Sequence, residues 1–565
     1  MRIPWRIMTR VRHRNRDPWL VLVLVVSVGL GMYHLSWGLP NGNRSWAADS
    51  LGPLTVLSIA QHSLTAWNSG WFYFKYPLGY PLLLLTAYAP YLAVLRLTGG
   101  FGHPTTVYPY GFSNPAVALH GLALLGRGIS VACVVATAAL TYGIGRRLFG
   151  RTTGALAAWL VATAYPLVYY AHTTNLDAAY LFWLVLALWA TVVAAETGQR
   201  WSYMLLGIAG AMAVSTKEQG FAFLLPLPLI LLTDRRRALV SAGSAWQRWW
   251  AVLWNRDTRA ALMAAGLTGV LANNVLLNPS GFVNRIVYLS GRPVAGVSAR
   301  LAPVEFALFK GGAKEWQYVR QLVDGIESSV GLPVFVLVVA GVCYVIWRRR
   351  RAAAYLLLPA LALYYLSLRA LDLITLRYTL PLSVVGALCG AALCAHALEW
   401  KRRWLPSVLI VAICLLGVAR AIELDWLLRH DTRYRAEAWL RQHVPLDGTV
   451  ETYQKPVYLP RFAGLTVGTV PLAQRTIGGI QRRQPDFIVI SSAAKQAITH
   501  RWNPDWRQGH TLLVEQPQAS AFLDALEDER LPYRPVARFS QRPVLLRLRI
   551  TSLCPQITIF QRVQS

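Results

Sequence analysis

The chain has 565 residues, of which 55% are hydrophobic and only 15% charged, with a formal net charge of +30. Such a composition excludes an ordinary soluble domain and a disordered chain, and it suits a polytopic α-helical membrane protein. The basic excess, 56 Lys and Arg against 26 Asp and Glu, would suit nucleic acid only if it gathered on one soluble face. It is distributed among short loops instead.

In chain order, an arm carrying Arg2, Arg6, Arg10, Arg12, Arg14 and Arg16 precedes an apolar run over 18–38. No small-x-small cleavage site follows in GLPNGN (38–43), so the run reads as a retained signal anchor. Further apolar stretches recur near 116–141, 152–170, 178–197, 201–215, 218–233, 260–277, 331–347, 352–368, 378–397 and 404–422. Each approaches the ~20 residues that cross a hydrocarbon core, so about 11–13 transmembrane helices are expected. Arg146, Arg147 and Arg151, then Arg235, Arg236 and Arg237, then Arg348 to Arg351, then Lys401, Arg402 and Arg403 fall in short loops between them. This is the positive-inside pattern, which puts the N-terminus in the cytoplasm. Anionic membrane lipids, not nucleic acid, are the expected partners of these clusters.

Parity constrains the segments in between. Residues 38–115 form a first outer loop, and a lone crossing by 80–98 would move every later arginine cluster outside. That segment and 50–67 are therefore expected to lie in the outer leaflet, with a hairpin of the two as the alternative. Residues 278–330 form a second outer loop, where glycines and prolines point to mobility. Residues 1–422 make up the membrane domain, and 423–565 change character. AEAWLRQHV (436–444) is predicted as a helix, DFIVIS (486–491) and PVLLRLRI (543–550) as strands, together a soluble α/β domain outside the cytoplasm. Of six cysteines, Cys133, Cys343, Cys389, Cys394 and Cys414 fall in spans and Cys554 in the tail. Neither a disulfide framework nor metal-ligand spacing emerges.

With this topology the polar residues gather on the outer face. Asp49 lies in WAADS (46–50), Lys75 in KYPLGYP (75–81) and Asp177 in HTTNLD (172–177). Lys217 and Glu218 lie in STKEQG (215–220), and Arg369, Asp372 and Arg377 around LRYTLP (376–381). An ionisable group inside a span costs roughly 2.5–3.5 kcal/mol, which makes each one near the membrane a functional candidate. Blander readings exist for all of them. Lys217 and Glu218 would also mark a helix end, Arg377 would snorkel to headgroups, and Asp177 would cap a helix. Asp49 would be a solvated loop acid, Arg127 a structural pairing partner, and His172 an ordinary loop histidine.

Carboxylates beside cations at the water boundary suit attack on a lipid-linked phosphodiester. The cations would stabilise charge growing on the departing phosphate, and a carboxylate would accept the proton of the attacking hydroxyl. GIGRRLFG (143–150) is a poor glycine-rich phosphate loop without a preceding strand, so a nucleotide-sugar donor is not expected.

WAADS, KYPLGYP, STKEQG, LRYTLPL and the stretch 126–180, with its starting arginine, RRLFG turn and acidic turn, resemble the GT-C membrane glycosyltransferases. The branch is that of protein O-mannosyltransferases and the aminoarabinose transferase of lipid A. YLPR (458–461) and PDFIVISS (485–492) are similar to the tails of bacterial members. The resemblance implies a GT-C fold in the cytoplasmic membrane and a sugar carried on polyprenyl phosphate. It implies inverting displacement onto a hydroxyl of a lipid, glycan or protein at the outer face. It implies Asp49 as catalytic base and Asp177 completing the site. Lys75, Arg377 and Arg127 are then the phosphate-binding candidates, and Lys217, Glu218, His172 and Tyr378 the substrate-binding ones. One departure matters: the family's acidic pair in the first loop is here Asp49 followed by Ser50. That weakens an assignment to protein mannosylation and makes a divalent cation a poor expectation, since a lone carboxylate binds one weakly. Of two other readings, a secondary transporter would show repeated halves and broken midplane helices, and a non-catalytic membrane scaffold would need none of these acids.

Overall fold

A computed structural model describes residues 17–39, 46–238, 244–295, 297, 310–371, 374–471, 474–492 and 517–563. The arginine arm at 1–16 and Asp372 lie outside the described residues. The membrane part comprises α1 (Pro18–Met32), α2 (Pro53–Leu64), α3 (Gly79–Leu97), α4 (Pro115–Leu148), α5 (Arg151–Ala162), α6 (Tyr165–Ala171), α7 (Asp177–Thr197), α8 (Arg200–Thr216) and α9 (Gly220–Leu224). It continues through α10 (Pro226–Ala238), α11 (Ala245–Leu253), α12 (Arg256–Ala272), α13 (Pro279–Leu289), α14 (Gly312–Val330), α15 (Leu332–Arg348), α16 (Arg350–Leu363), α17 (Leu380–Ala397) and α18 (Trp404–Arg429).

Among the described residues, six helices are long and apolar enough to cross a membrane, or up to eight if the bent pairs α5–α6 and α14–α15 each count as one span. The sequence led to a larger number. The difference arises because α1 stops at 15 residues and α8 and α12 at 17, below or at the lower limit of a crossing. The segment expected in the outer leaflet forms α3, whose 19 residues reach crossing length. Its neighbour α2 has only 12 residues, about 18 Å of helix against a core of ~30 Å. A two-helix hairpin therefore lacks its second arm.

Close approach of the helices rests on small residues. A Cβ on Gly341 of α15 would come within 2.5 Å of the Cys389 carbonyl on α17. The bundle also has two chemically distinct ends. At one, Arg151 meets Asp17 at 2.6 Å, Arg351 meets Asp234 at 2.8 Å, and Arg147 pairs with Glu196. At the other, α7 begins at Asp177. Its 21 residues separate the ends by ~30 Å, about one bilayer core.

The tail folds as α19 (Thr432–His443), β1 (Thr449–Thr452), β2 (Thr466–Thr469), α20 (Ile477–Arg483), β3 (Phe487–Ser491), α21 (Pro517–Glu527), β4 (Tyr533–Phe539) and β5 (Ile557–Arg562). The sheet order is β2-β1-β3-β5-β4, with β1 parallel to β2 and β3, and β5 antiparallel to β3 and β4. Alternation along β3 explains its two covered faces. Phe487 and Val489 pack with Ala436 and Leu440 of α19, while Ile488 packs with Ile480, Phe522 and Leu526.

The helix expected at 436–444 and the strand at 486–491 are present as α19 and β3. The strand expected at 543–550 is not, and β4 and β5 complete the sheet instead. The amides of Leu545 and Leu546 donate to the Glu423 carboxylate of α18, at 2.9 and 2.7 Å to Oε2. Arg547 and Arg549 pair with Glu327 and Asp324 of α14 at 2.9 and 3.1 Å. The alternating pattern of this segment thus serves contact with the membrane helices rather than a sheet ladder.

Candidate active site

The loop that carries Asp49 is held from both sides. Trp46 is fully buried, with the Arg433 and Arg461 guanidinium groups 4.2 and 5.2 Å from its ring. Ser50 Oγ accepts from the Thr174 amide at 3.0 Å, and the Leu51 amide donates back to the Thr174 carbonyl at 3.2 Å. These bonds staple WAADS to HTTNLD. Between the two anchors Asp49 takes a left-handed backbone, φ 59°, a region that a short polar side chain tolerates. The serine that follows Asp49 therefore helps set the position of the acid.

From Asp49 a continuous line of contacts runs inward. Arg377 Nη1 donates to Asp49 Oδ2 at 2.5 Å, and Arg377 Nη2 donates to the Tyr378 hydroxyl at 3.1 Å. Lys217 Nζ lies 4.0 Å from the centre of the Tyr378 ring and donates to Asp177 Oδ1 at 2.5 Å. Local structure explains the inner pair. Asp177 opens α7 and Lys217 caps the C-terminal end of α8, each at the helix end whose dipole favours its charge. Asp177 is the first helical residue, with Leu176 at the cap position, so capping does not account for it. Exposure falls along the line, from 54% at Asp49 through 21% at Arg377 to 2% and 1% at Lys217 and Asp177. Only the outer pair is open to a ligand in this conformation. The inner pair supports it through Tyr378.

KYPLGYP closes over this line. Burial raises the Tyr76 phenol, Arg377 opposes the rise, and Asp49, Tyr378 and Asp177 add to it, so the segment lies within electrostatic reach of the line. Gly79 anchors the segment, since a Cβ there would sit 2.5 Å from the Ser215 carbonyl oxygen, two residues before Lys217. Gly79→Ala is expected to cost about 1–3 kcal/mol by overpacking, with a fall in any activity of the site. Thermal unfolding of the purified variant checks this, and an unchanged midpoint would remove Gly79 as an anchor.

Glu218 does not join the line; it pairs with Arg285 of α13. Arg285 also donates to the Tyr73 carbonyl, and Asn278 Nδ2 donates to the Trp71 carbonyl at 2.7 Å. Burial raises the Tyr73 phenol, Asp49 adds and Arg285 opposes, so this strap borders the site. Sequence reasoning misses Arg285 because 278–330 reads as a mobile outer loop, whereas the residue sits on α13. Its one signal was LNPSGFVNR (277–285), an asparagine-proline helix start leading to an arginine. From the tail, Tyr458 also comes near. Burial raises its phenol, a hydrogen bond with Thr551 opposes, and the Asp49 charge adds.

Other candidates lie elsewhere. Lys75 is exposed, with its ammonium 5.9 Å from the Phe74 ring. Arg127 is 1% exposed and donates to the Leu35 carbonyl at 2.5 Å, enclosed where no phosphate reaches it. His172 is fully buried, its ring nitrogens 2.8 and 2.6 Å from the Val168 and Tyr33 carbonyl oxygens, and burial pulls its imidazole down to about 4. Arg369 is spent on Glu315 of α14. Among the described residues no three His, Cys, Asp or Glu side chains stand together as a metal-binding group.

Fold and site together define a polytopic helical membrane protein with an extramembrane α/β domain and a carboxylate–guanidinium centre at one end of the bundle. Residues 122–252 match the family described as dolichyl-phosphate-mannose-protein mannosyltransferase, and the resemblance to the GT-C glycosyltransferases stands on that segment. It includes Asp177, Lys217 and Glu218 and leaves out Asp49, Lys75 and Arg377. An undecaprenyl phosphate-alpha-4-amino-4-deoxy-L-arabinose arabinosyl transferase of Pseudomonas aeruginosa (strain UCBPP-PA14) is 33% identical over 180 residues, covering 28% of this chain and 32% of the relative. The alignment thus spans about a third of that curated relative's length. Among solved structures, ArnT from Cupriavidus metallidurans in the apo state is similar at 12% identity and a TM-score of 0.46, over 96% of this chain and 98% of that one. The Archaeoglobus fulgidus oligosaccharyltransferase tethered with an acceptor peptide is similar at 12% identity and a TM-score of 0.45, over 97% and 89%.

Proposed function

We propose that this protein is a glycosyltransferase that moves a sugar from a polyprenyl-phosphate donor to a hydroxyl-bearing lipid, glycan or protein on the outer face of the cytoplasmic membrane. The observation that carries the reading is the line Asp49–Arg377–Tyr378–Lys217–Asp177. The matched family's description and the relative's name, both of polyprenyl-linked sugar transferases, support it. Residues 1–422 supply the reaction, and the tail from 423 onwards sits beside Asp49 on the same face.

The acceptor hydroxyl oxygen attacks the anomeric carbon opposite the phosphate. The bond from that carbon to the phosphate oxygen breaks, its electron pair leaves with the polyprenyl phosphate, and the configuration inverts. Asp49 Oδ1, which has no hydrogen bond among the described residues while Oδ2 is held by Arg377, takes the hydroxyl proton. Arg377 orients the base and meets the negative charge of the phosphate. Lys75, outside that line but exposed on KYPLGYP and without an ion pair among the described residues, is assigned the part of a second cation that meets the donor phosphate. Tyr378, Lys217 and Asp177 hold Arg377 in register and do not touch the donor.

Reconstituted protein given radiolabelled polyprenyl-phosphate sugars and an envelope extract is expected to yield a labelled acceptor and free polyprenyl phosphate. Movement of an unaltered solute across vesicles, with no such cleavage, would mark a transporter. Lys75→Ala is expected to weaken binding of polyprenyl phosphate by roughly 10- to 100-fold, the loss of one charge-assisted contact, with the unfolding midpoint unchanged. A titration with undiminished affinity would remove Lys75 from the phosphate site.

A further inference from the structure

At the end of the bundle opposite Asp49, the starts of α8 and α12 border an open groove of about 400 Å³ lined by Arg200, Arg256, Arg259, Ala260, Leu262 and Met263. The cations at this end differ in how they are answered. Arg147, Arg151 and Arg351 pair with Glu196, Asp17 and Asp234, and Arg200 meets Asp257 at 3.3 Å. Arg256 and Arg259 are exposed, and among the described residues neither has an acidic partner. Two unanswered guanidinium groups on one helical turn beside a third form a focus for an anion.

The rest of the groove is apolar, which a soluble anion would not need. Met263 is 68% exposed, and Leu267 and Leu271 repeat at four-residue spacing along the same face of α12, also exposed. That stripe descends from the arginines into the span. Beside it α11 and its C-cap residue carry a ladder of exposed tryptophans, Trp246, Trp250 and Trp254, with successive ring centres 5.6 and 5.8 Å apart. Arg236 lies 4.8 Å from the Trp249 ring. Tryptophan and arginine at one level mark the headgroup region of a bilayer. A phosphate above and an apolar chain below are the two parts of a phospholipid.

We infer that the groove formed by Arg200, Arg256 and Arg259 above the Met263–Leu271 stripe binds the headgroup of an anionic phospholipid in the leaflet at the arginine-rich end. The site is independent of the sugar-transfer reading. It lies at the start of α8, whose 17 residues end at Thr216 with Lys217 as C-cap, so the bound lipid grips a helix that reaches the catalytic end ~25 Å away.

Native mass spectrometry of the full chain in detergent, titrated with phosphatidylglycerol and with phosphatidylcholine of matched chains, tests this. The parent protein is expected to retain phosphatidylglycerol preferentially, and less so at high salt. R256Q/R259Q is expected to bind it roughly thirtyfold more weakly, while R534Q/R538Q, exposed on β4 of the tail, binds it as the parent does. Thermal unfolding in zwitterionic detergent reports whether R256Q/R259Q is folded, and R256K/R259K, which keeps both charges, should retain most of the preference. Equal retention of the two lipids by the parent protein, or undiminished phosphatidylglycerol binding in folded R256Q/R259Q, would overturn the inference. Displacement of the lipid by millimolar inorganic phosphate would overturn it too, in favour of a free-anion site.

Discussion

Asp49→Asn is expected to lower sugar transfer by about two to four orders of magnitude, the contribution of a positioned general base, while donor binding persists. The two side chains have the same shape, and the loop's anchors do not depend on the charge. Trp46 stays buried among its arginines, and Ser50 keeps its bond to the Thr174 amide. Arg377 loses an ionic partner but keeps the Tyr378 hydroxyl, so its guanidinium remains in place and becomes freer to meet phosphate. The expected signature is therefore a fall in kcat with the donor KM unchanged or lower. Turnover of the purified variant across a donor titration reads both constants. Parent-like kcat would eliminate Asp49 as the base, and a rise in KM alone would recast it as a binding residue.

The gathering of polar groups at one end was legible because it rests on parity and local composition. Arginine clusters between alternate apolar stretches fix which ends face the same way, and WAADS, HTTNLD, STKEQG and LRYTLP then fall together. Which acid meets which cation was not legible, because pairing depends on helix rotation and on contacts between distant segments. Asp49 and Arg377 are 328 positions apart. Nothing in the local sequence distinguishes Arg377, which reaches Asp49, from Arg369, which turns to Glu315. Burial was equally hidden. Arg127 and His172 carry the right chemistry, and their spacing gives no sign that the packed helices enclose them. The segment 543–550 failed for a related reason, since an alternating pattern specifies an extended chain with one covered face and says nothing of what covers it. Here the cover is Glu423 and the acids of α14.

Lys217→Met is expected to destabilise the protein by about 3–5 kcal/mol, the cost of stranding a buried charge. Lys217 and Asp177 are almost fully buried, and Asp177 Oδ2 already has no hydrogen-bond partner among the described residues. Without the ammonium the buried carboxylate would lose its ion-pair partner. Changing both residues, Lys217→Met with Asp177→Leu, removes both charges, and replacement of a buried ion pair by apolar side chains is commonly neutral or stabilising. Stability should then return. Activity should not, because the methionine puts no cation on the face of Tyr378, and Tyr378 is what holds the second nitrogen of Arg377. Thermal unfolding and turnover of the single and double variants together distinguish two roles for the pair. Recovery of both would mean that it only stabilises the fold, whereas recovery of the unfolding midpoint with turnover still depressed would mean that it positions Arg377. A single Lys217→Met variant as stable as the parent would contradict the burial on which either role depends.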